Sequence, residues 1–483
     1  MKTAMQPSRG AQFSDLSLAK DLVELVSELG YAHPTPVQAQ SIPLLLQGKD
    51  LIGQSETGSG KTAAFALPIL NRLERNLGQS RDSGPRPVQA LVLCPTRELG
   101  AQVAREIRRL ARRHLGLQVL VLTGGAPMGD QLTALEKGAH IVVGTPGRVI
   151  DHLKRGTLDL SGIKTLVLDE ADRMLEMGFQ EDVERVLDKC PHDRQTVLFS
   201  ATFPEKIESL SRAYQRAPVR VTVVSENKTV ASIRQVVYEV ELPNRVKTLL
   251  WVLEQNKPES AIVFCNFKAS VVELLRQLAA AGLSVGALHG DLEQSERDRV
   301  MAKFRNRSTR LLIATDVAAR GIDVQDLDAV VNFELPHKPE IYVHRVGRTG
   351  RAGKSGLAVS FHGARELGKV AMIEKYSGVT LQKKKVAPLE SIELETLHER
   401  AHRDAEMKTL FISGGRKEKM RPGDILGALT GEAGGLKGAD IGKIEIHDRF
   451  SYVAVSAKIA SLALQRLRDG RIKGRRFRIE PVR

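Results

Sequence analysis

At 483 residues the chain is too long for one hydrophobic core, so about three domains are expected. Its charged and hydrophobic fractions, 27% and 42%, are those of a globular protein, and no apolar run is long enough to span a bilayer. The net charge of +15 draws attention to a polyanionic partner, although a lysine-rich solvated surface produces the same number, and Cys94, Cys190 and Cys265 are too widely spaced for a metal knuckle. Without a signal-peptide core at its start, the chain reads as cytoplasmic, with buried reduced thiols and no membrane partner.

Residues 1–12 are polar and loose. Phe13 precedes a helical segment from Asp21 to Leu29, closed by Gly30, and Pro34-Thr35-Pro36-Val37-Gln38 is a turn that opens a second helix. Leu51-Ile52, the loop Ser55 to Thr62 and the helical run Ala63 to Leu70 then form a strand, a glycine loop and a helix. That context suits phosphate binding. Backbone N–H groups of Ser55, Thr57, Gly58, Ser59 and Gly60 cradle phosphates in such a loop, Lys61 neutralises them, and Thr62 coordinates Mg²⁺. Ser55 stands where the strict pattern has its first glycine, and a glycine-rich turn without a nucleotide has the same composition.

Four further apolar runs end in polar motifs. Ala90–Cys94 leads into Pro95 to Gly100, Ile141–Val143 into Thr145 to Arg148, and Val197–Phe199 into Ser200-Ala201-Thr202. Thr165–Leu168, the composition of a strand buried on both faces, leads into Asp169-Glu170-Ala171-Asp172. Carboxylates crowded at a strand end repel one another unless a cation or proton relay uses them. One can hold a Mg²⁺-bound phosphate while its neighbour deprotonates a water, or the strand can simply end in an acidic turn. Strand ends alternating with helices predict a doubly wound α/β lobe.

The segment from Asn227 to Asn244 reads as a linker and the start of a second lobe. Its strands are expected at Ala261–Phe267, Val285–Leu288, Leu311–Ala314, Ala329–Phe333 and Leu357–Phe361, and it has no phosphate loop of its own. Its strand-end motifs are donors instead: Thr315 to Asp323, and His344 to Arg351. Arginines spaced by glycines can converge on one anion, and such fingers accelerate phosphoryl transfer by roughly 10³–10⁵. A basic loop that binds nucleic acid has the same composition.

The stretch from Lys383 to Lys408 reads as a linker followed by a solvated helix. Beyond it, residues 409–483 hold 16 Lys and Arg against 8 Asp and Glu, over half of the whole excess, in a βαββαβ pattern. Phe411 fits the base-stacking position of a first strand, and Phe450 and Tyr452 fit a third, although Val455 and Arg449 depart from that pattern and one of the two rings can be core. The basic run with Lys417, Lys419 and Arg421 is an alternative RNA contact, together with the cluster Arg471 to Arg478.

The order of Gln54 to Thr62, Pro95 to Gly100, Gly124-Gly125, Thr145 to Arg148, Asp169 to Asp172 and Ser200 to Thr202 resembles a DEAD-box RNA helicase. The resemblance implies two tandem RecA-like lobes, residues 13–225 and 226–382, an α/β fold joined by a linker (383–408) to a small α+β RRM-like domain (409–483). It implies ATP and Mg²⁺ as cofactors. Phe13 is expected to stack on adenine, with Gln38 reading its edge and Thr35 in support. Asp169 would hold Mg²⁺, Glu170 would be the general base, and Asp172 would bond Ser200 and Thr202 to couple hydrolysis to strand opening. Arg97, Gly125, Thr145, Gly147, Arg148, Gln294, Arg297 and Thr315 would face RNA. Arg348 and Arg351 would reach the γ-phosphate, His344 would couple the lobes, and Gly321 and Asp323 would lie near the ribose. Gly100 stands where the family more often has alanine. Met420 to Thr430 and Gly438 to Ile444 resemble the DbpA subfamily, which implies targeting to 23S rRNA in pre-50S ribosomal particles; a compact chain of this kind reads as a monomer. The alternatives are a general RNA-remodelling helicase of the cold-shock or RNA-decay kind with a non-specific anchor, and an ATP-gated clamp. Intact Lys61, Glu170 and Arg348 argue against a site without hydrolysis.

Overall fold

The computed structural model describes residues 11–55, 59–73, 88–223, 233–319, 324, 327–350, 356–386, 396, 404–431 and 435–482. Described residues up to 223 form one compact unit and those from 233 onward a second.

The first unit contains α1 (Lys20–Glu28), α2 (Pro36–Leu46), β1 (Leu51–Gln54), α3 (Lys61–Arg72), β2 (Ala90–Leu93), α4 (Arg97–Leu110), β3 (Val119–Leu122), α5 (Met128–Glu136) and β4 (Ile141–Gly144). It continues with α6 (Pro146–Lys154), β5 (Thr165–Leu168), α7 (Ala171–Glu176), α8 (Gln180–Asp188), β6 (Gln195–Ser200), α9 (Glu205–Tyr214) and β7 (Val219–Thr222). The seven strands are parallel, in the order β3-β4-β2-β5-β6-β1-β7. Successive strand residues serve opposite faces, so Leu91, Leu93, Leu166 and Leu168 enter one apolar core while Val92 and Val167 enter the other. Helices cover both faces, which leaves the strand ends as the place where polar side chains converge.

The second unit begins with β8 (Ile233–Glu239), α10 (Arg245–Asn256), β9 (Ala261–Cys265), α11 (Lys268–Ala280), β10 (Val285–Leu288), α12 (Gln294–Arg305), β11 (Leu311–Thr315) and α13 (Asp316–Ala319). Then follow β12 (Ala329–Asn332), α14 (Pro339–Val346), β13 (Gly356–His362), α15 (Leu367–Ser377) and β14 (Gln382–Lys384). Its parallel sheet, β10-β11-β9-β12-β13-β8-β14, has the same order as the first when each is numbered from its own first strand. One architecture is thus built twice from dissimilar sequence.

Four strands were not anticipated: β3, β7, β8 and β14. Three of them are sheet edges; Val119–Leu122 is an aliphatic run like those of the central strands, whereas Val219–Thr222 alternates and Gln382–Lys384 has no apolar residue. The fourth, β8, lies inside the segment read as a linker. Arg234 and Gln235 disguise it, yet it pairs in register with β13 over seven residues.

The tail folds as β15 (Met407–Ile412), α16 (Pro422–Thr430), β16 (Ile441–Ile446), β17 (Ser451–Ser456), α17 (Ala460–Asp469) and β18 (Ile479–Pro481). Its antiparallel sheet runs β16-β17-β15-β18, and Ile425, Leu429, Ala463 and Leu467 of the two helices pack on one face. The opposite face meets α12. Arg305 makes a bidentate pair with Glu445, at 2.9 and 2.7 Å, while Ser308 and Asn306 reach the Thr409 hydroxyl at 2.7 and 3.4 Å. The expected α/β fold with two RecA-like lobes and a small α+β domain is the one observed. No helix among the described residues is long and apolar enough to cross a membrane.

Candidate active site

Ligands of open parallel sheets bind outside the carboxyl ends of the strands, and in the first lobe the motifs after β1, β2, β3, β4, β5 and β6 follow such ends. Lys61 opens α3 and is 7% exposed; its Nζ donates to the Ser55 carbonyl at 3.2 Å. Ser59 Oγ donates to Ser55 Oγ at 3.1 Å. Thr62 follows on the first turn of α3. Gly60 has φ +94°, and a Cβ there would stand 2.5 Å from Gln38 Nε2 and 2.9 Å from Thr35 Oγ1, a site only glycine can fill. Thr57 and Gly58 lie outside the described residues.

Thr35 caps α2, with Pro36 at the first helical position and the Thr35 N–H donating to Gln38 Oε1 at 2.9 Å. Gln38 Nε2 in turn donates to the Gly60 carbonyl at 3.1 Å. The side chain expected to read adenine therefore uses both ends of its amide within the protein, the oxygen on its own helix cap and the nitrogen on the phosphate loop. Phe13 leaves 5% of its surface exposed and packs edge-to-face on Tyr31 at 6.0 Å. It belongs to the apolar core of the lobe.

Asp169 follows β5 and is 2% exposed. Burial pushes its carboxyl up to about 6, with the Lys61 charge opposing and Glu170 adding to the rise. Asp169 Oδ1 and Thr35 Oγ1 are buried oxygens without a hydrogen-bond partner among the described residues. A buried carboxylate oxygen with no donor, in a site that also holds Lys61 and Thr62, fits a hydrated divalent cation. Glu170 sits at φ 52°, ψ 52°, a left-handed conformation that costs a non-glycine residue on the order of 1 kcal/mol. Such strain gathers at functional positions and aims the Glu170 side chain independently of Asp169.

Asp172 is held differently. Its Oδ2 accepts from both the Thr202 N–H and the Thr202 hydroxyl at 2.9 Å, and its Oδ1 accepts the Arg173 N–H at 3.0 Å. Ser200, expected on the same carboxylate, instead donates to the Thr202 carbonyl at 2.6 Å. Asp172 thereby ties the strand end that carries Glu170 to the loop after β6.

The residues expected on an RNA track gather at the ends of β2, β3 and β4. Arg97 opens α4, and its guanidinium lies 3.0 Å from the position of a Cβ on Gly124, beside Gly125 at φ +76°. Thr145 precedes α6, and a Cβ on Gly147 would meet nothing within 4 Å, so the surface there is open. Arg148 donates to the Ala126 carbonyl at 3.3 Å and to Gln131 Oε1 at 3.2 Å. Gln131 also binds His152 at 3.0 Å and the Thr123 carbonyl at 3.1 Å. Burial, then the Arg148 charge, lowers the His152 pKa. This buttress was not foreseen, since its members lie on three different elements. Gly100 has room for a methyl group: the nearest atom to a Cβ there is 3.5 Å away.

In the second lobe, His344 ends α14 and Arg348 follows, its N–H donating to the Arg345 carbonyl at 3.1 Å. Arg345 itself received no role from sequence. It is 2% exposed and bonds Asp316 through two donors at 2.6 and 2.7 Å. Asn332, Asn266 and the Glu334 carbonyl take the rest of its guanidinium, at 3.1, 2.8 and 2.7 Å. Three segments, after β9, β11 and β12, are thus fixed by one residue three positions before Arg348. Thr315 ends β11, with its hydroxyl accepting the Ala318 N–H at 3.4 Å, and Gln294 and Arg297 lie on the first turn of α12. Arg351, Gly321 and Asp323 lie outside the described residues.

In the tail, Lys417 and Lys419 are exposed between β15 and α16, and Arg421 caps α16, its N–H donating to Asp424 at 2.8 Å. Phe411, Phe450 and Tyr452 cluster, with ring centroids 5.3–6.0 Å apart, and His447 stacks on Phe450 at 4.5 Å. Tyr452 is 2% exposed, so this ring is not offered to a base. Burial, and then the nearby Asp298 of α12, push its phenol up to about 12. Phe411 and Phe450 keep partial exposure.

The chain was compared with proteins of known family and structure. Residues 35–210 match the DEAD/DEAH box helicase family, residues 242–353 the helicase conserved C-terminal domain, and residues 409–481 the DbpA RNA binding domain. The chain is 47% identical to the ATP-dependent RNA helicase DbpA of Escherichia coli over 94% of its own length and 95% of the relative's. It is 43% identical to the DEAD-box ATP-dependent RNA helicase CshA of Geobacillus kaustophilus, over 78% of this chain and 79% of that one. Saccharomyces cerevisiae Dbp5, solved bound to RNA and ADP BeF3, superposes with a TM-score of 0.69 at 30% identity, covering 82% of this chain and all of that one. Two parallel-sheet lobes with a nucleotide loop in the first, a basic antiparallel tail, and similarity along almost the whole length place the chain in the DEAD-box ATP-dependent RNA helicase family, with a DbpA-type RNA-binding domain at its C-terminus.

Proposed function

We propose that this helicase acts on large-subunit 23S ribosomal RNA during ribosome assembly, and that residues 409–483 direct it there. The observation that carries this reading is the tail: a compact domain of DbpA type with over half the net positive charge of the chain, anchored to the second lobe through Arg305 and Glu445. Phosphate neutralisation supplies affinity for any RNA, whereas a folded domain held in one orientation can select among RNA structures.

In the hydrolytic step, the loop from Ser55 to Gly60 and Lys61 bind the phosphates, and Glu170 orients a water and takes its proton. Mg²⁺ held by Thr62 and Asp169 would neutralise charge developing on the phosphates. Arg348 and Arg351 stabilise the transferring phosphoryl group from the second lobe, and Asp172 with Thr202 links the Glu170 strand end to the RNA-facing loops. Because these groups are divided between two lobes, residues 13–225 alone are expected to hydrolyse ATP no faster with RNA than without it. The protein is read as a cytoplasmic monomer, consistent with three buried, unpaired cysteines.

The test is ATPase rate against RNA concentration, comparing 23S rRNA, an unrelated RNA and DNA of equal length. Half-maximal stimulation at far lower 23S rRNA, lost on deleting 409–483, supports the proposal. Equal stimulation by both RNAs would make the tail a general anchor.

A further inference from the structure

The tail has two faces, and one of them is occupied. Tyr452 is buried, and Arg305, Asn306 and Ser308 of the second lobe bond to Glu445 and Thr409 on the sheet side. The helical side instead carries a cavity of about 390 Å³ between α16 and the end of α17, within the range of small-ligand pockets. Gly423 and Gly427 on α16 and Gly431 just past its end form the floor, and Arg466, Arg471 and Lys473 supply cations. Asp424 is its one acidic member, and that carboxylate already accepts the Arg421 N–H and lies 3.9 Å from Lys473.

The glycines divide into two kinds. At Gly431 a Cβ would stand 2.6 Å from the Gly427 carbonyl, and at Gly470 2.6 Å from the Arg466 carbonyl, so the helix ends themselves require glycine. At Gly423 and Gly427 a Cβ would meet nothing within 4 Å, and neither has positive φ. Glycine is the poorest helix former after proline, and nothing inside the protein explains it there. What two bare α16 positions provide is a flat floor on which a planar group can lie against the backbone, with arginines at the rim.

We propose that this groove between α16 and α17 receives an unpaired nucleotide of RNA, its base on the Gly423–Gly427 floor and its phosphate against Arg466, Arg471 and Lys473. Flat aromatic surface plus an anion is what a glycine floor flanked by guanidinium groups recognises. The proposal rests on the tail being the RNA-targeting element and assigns the surface that does it.

The experiment uses the full chain, in vitro transcribed 23S rRNA and no ATP. Gly427→Leu fills the floor and is expected to weaken binding about 10-fold or more, the loss of one stacked base, with no fall in unfolding midpoint. Gly427→Ala, a better helix former, is expected to bind more weakly while unfolding at an equal or higher midpoint. RNA carrying 4-thiouridine is expected to crosslink within 423–431 or 466–473. Unchanged affinity in Gly427→Leu, crosslinks confined to Phe411, Phe450 and His447, or equal competition by polyglutamate would overturn the groove. If deleting 409–483 weakens binding while Gly427→Leu does not, only the groove falls. If the deletion also changes nothing, the targeting role of the tail falls with it.

Discussion

Replacing Arg345 tests whether one buried guanidinium organises the second lobe. Arg345→Met keeps the aliphatic volume and removes donors from Asp316, Asn332, Asn266 and the Glu334 carbonyl. Removing one partner of a buried ion pair costs about 3–5 kcal/mol, because the other charge stays behind. The Asp316 side chain is 20% exposed, so water relieves part of that, and a loss of about 3 kcal/mol is expected. The chain holds one tryptophan, Trp251, on α10 of the same lobe and 5.7 Å from Tyr238, so its fluorescence reports this lobe alone. With a urea slope of about 2 kcal/mol per molar, the midpoint should fall by about 1.5 M. Asp316→Leu should cost a similar amount, and the double variant much less than the sum, since both charges are then gone. RNA-stimulated ATPase should fall with Arg345→Met even well below its unfolding midpoint, because the Arg345 side chain fixes the end of α14 from which Arg348 follows. A midpoint shift below about 0.5 M, or additive effects in the double variant, would refute the assignment.

Two further perturbations probe the site and the tail. Because burial raises the Asp169 carboxyl to about 6 from 3.8, the fold favours its protonated form. That contribution to stability is full below about pH 4 and is lost as pH rises through 6, a difference of about 3 kcal/mol. Asp169→Asn should therefore raise the melting temperature of the first lobe more at pH 7.5 than at pH 5, while abolishing hydrolysis; an equal effect at both pH values would sink the idea. For the tail, burial opposes ionisation of Glu445, yet His447, Arg305 and Lys443 hold its carboxyl well below the usual range. Its pairing stabilises docking above about pH 4.5 and weakens as pH falls below that. Arg305→Ala should weaken docking by about 2 kcal/mol, less than a full buried-pair loss because Lys443 remains 3.1 Å away, and amides of β15 and β16 should exchange faster. Unchanged protection would show that the ion pair does not hold the tail.

What the sequence alone determined is local. A phosphate loop, a strand-end acidic cluster and an arginine-glycine run each need only a strand, a turn and a helix in succession, so spacing along the chain carries their chemistry. The apolar strands at the centre of each sheet are legible for the same reason, since burial on both faces demands an unbroken aliphatic run. What the tertiary structure decided depends on residues far apart. The edge strands β7 and β14 exist because a neighbour supplies hydrogen bonds, not because their own side chains demand it. Gln38 braces Gly60 from 22 residues away, and Arg345 finds its acceptors at separations of 11 to 79 residues. Arg305 meets Glu445 across 140 residues, and that contact decides which face of the tail is left to bind. Periodicity can mark Tyr452 as a strand aromatic. Only packing against α12 makes it an interior one, because exposure belongs to the surface that covers a side chain and not to the side chain itself.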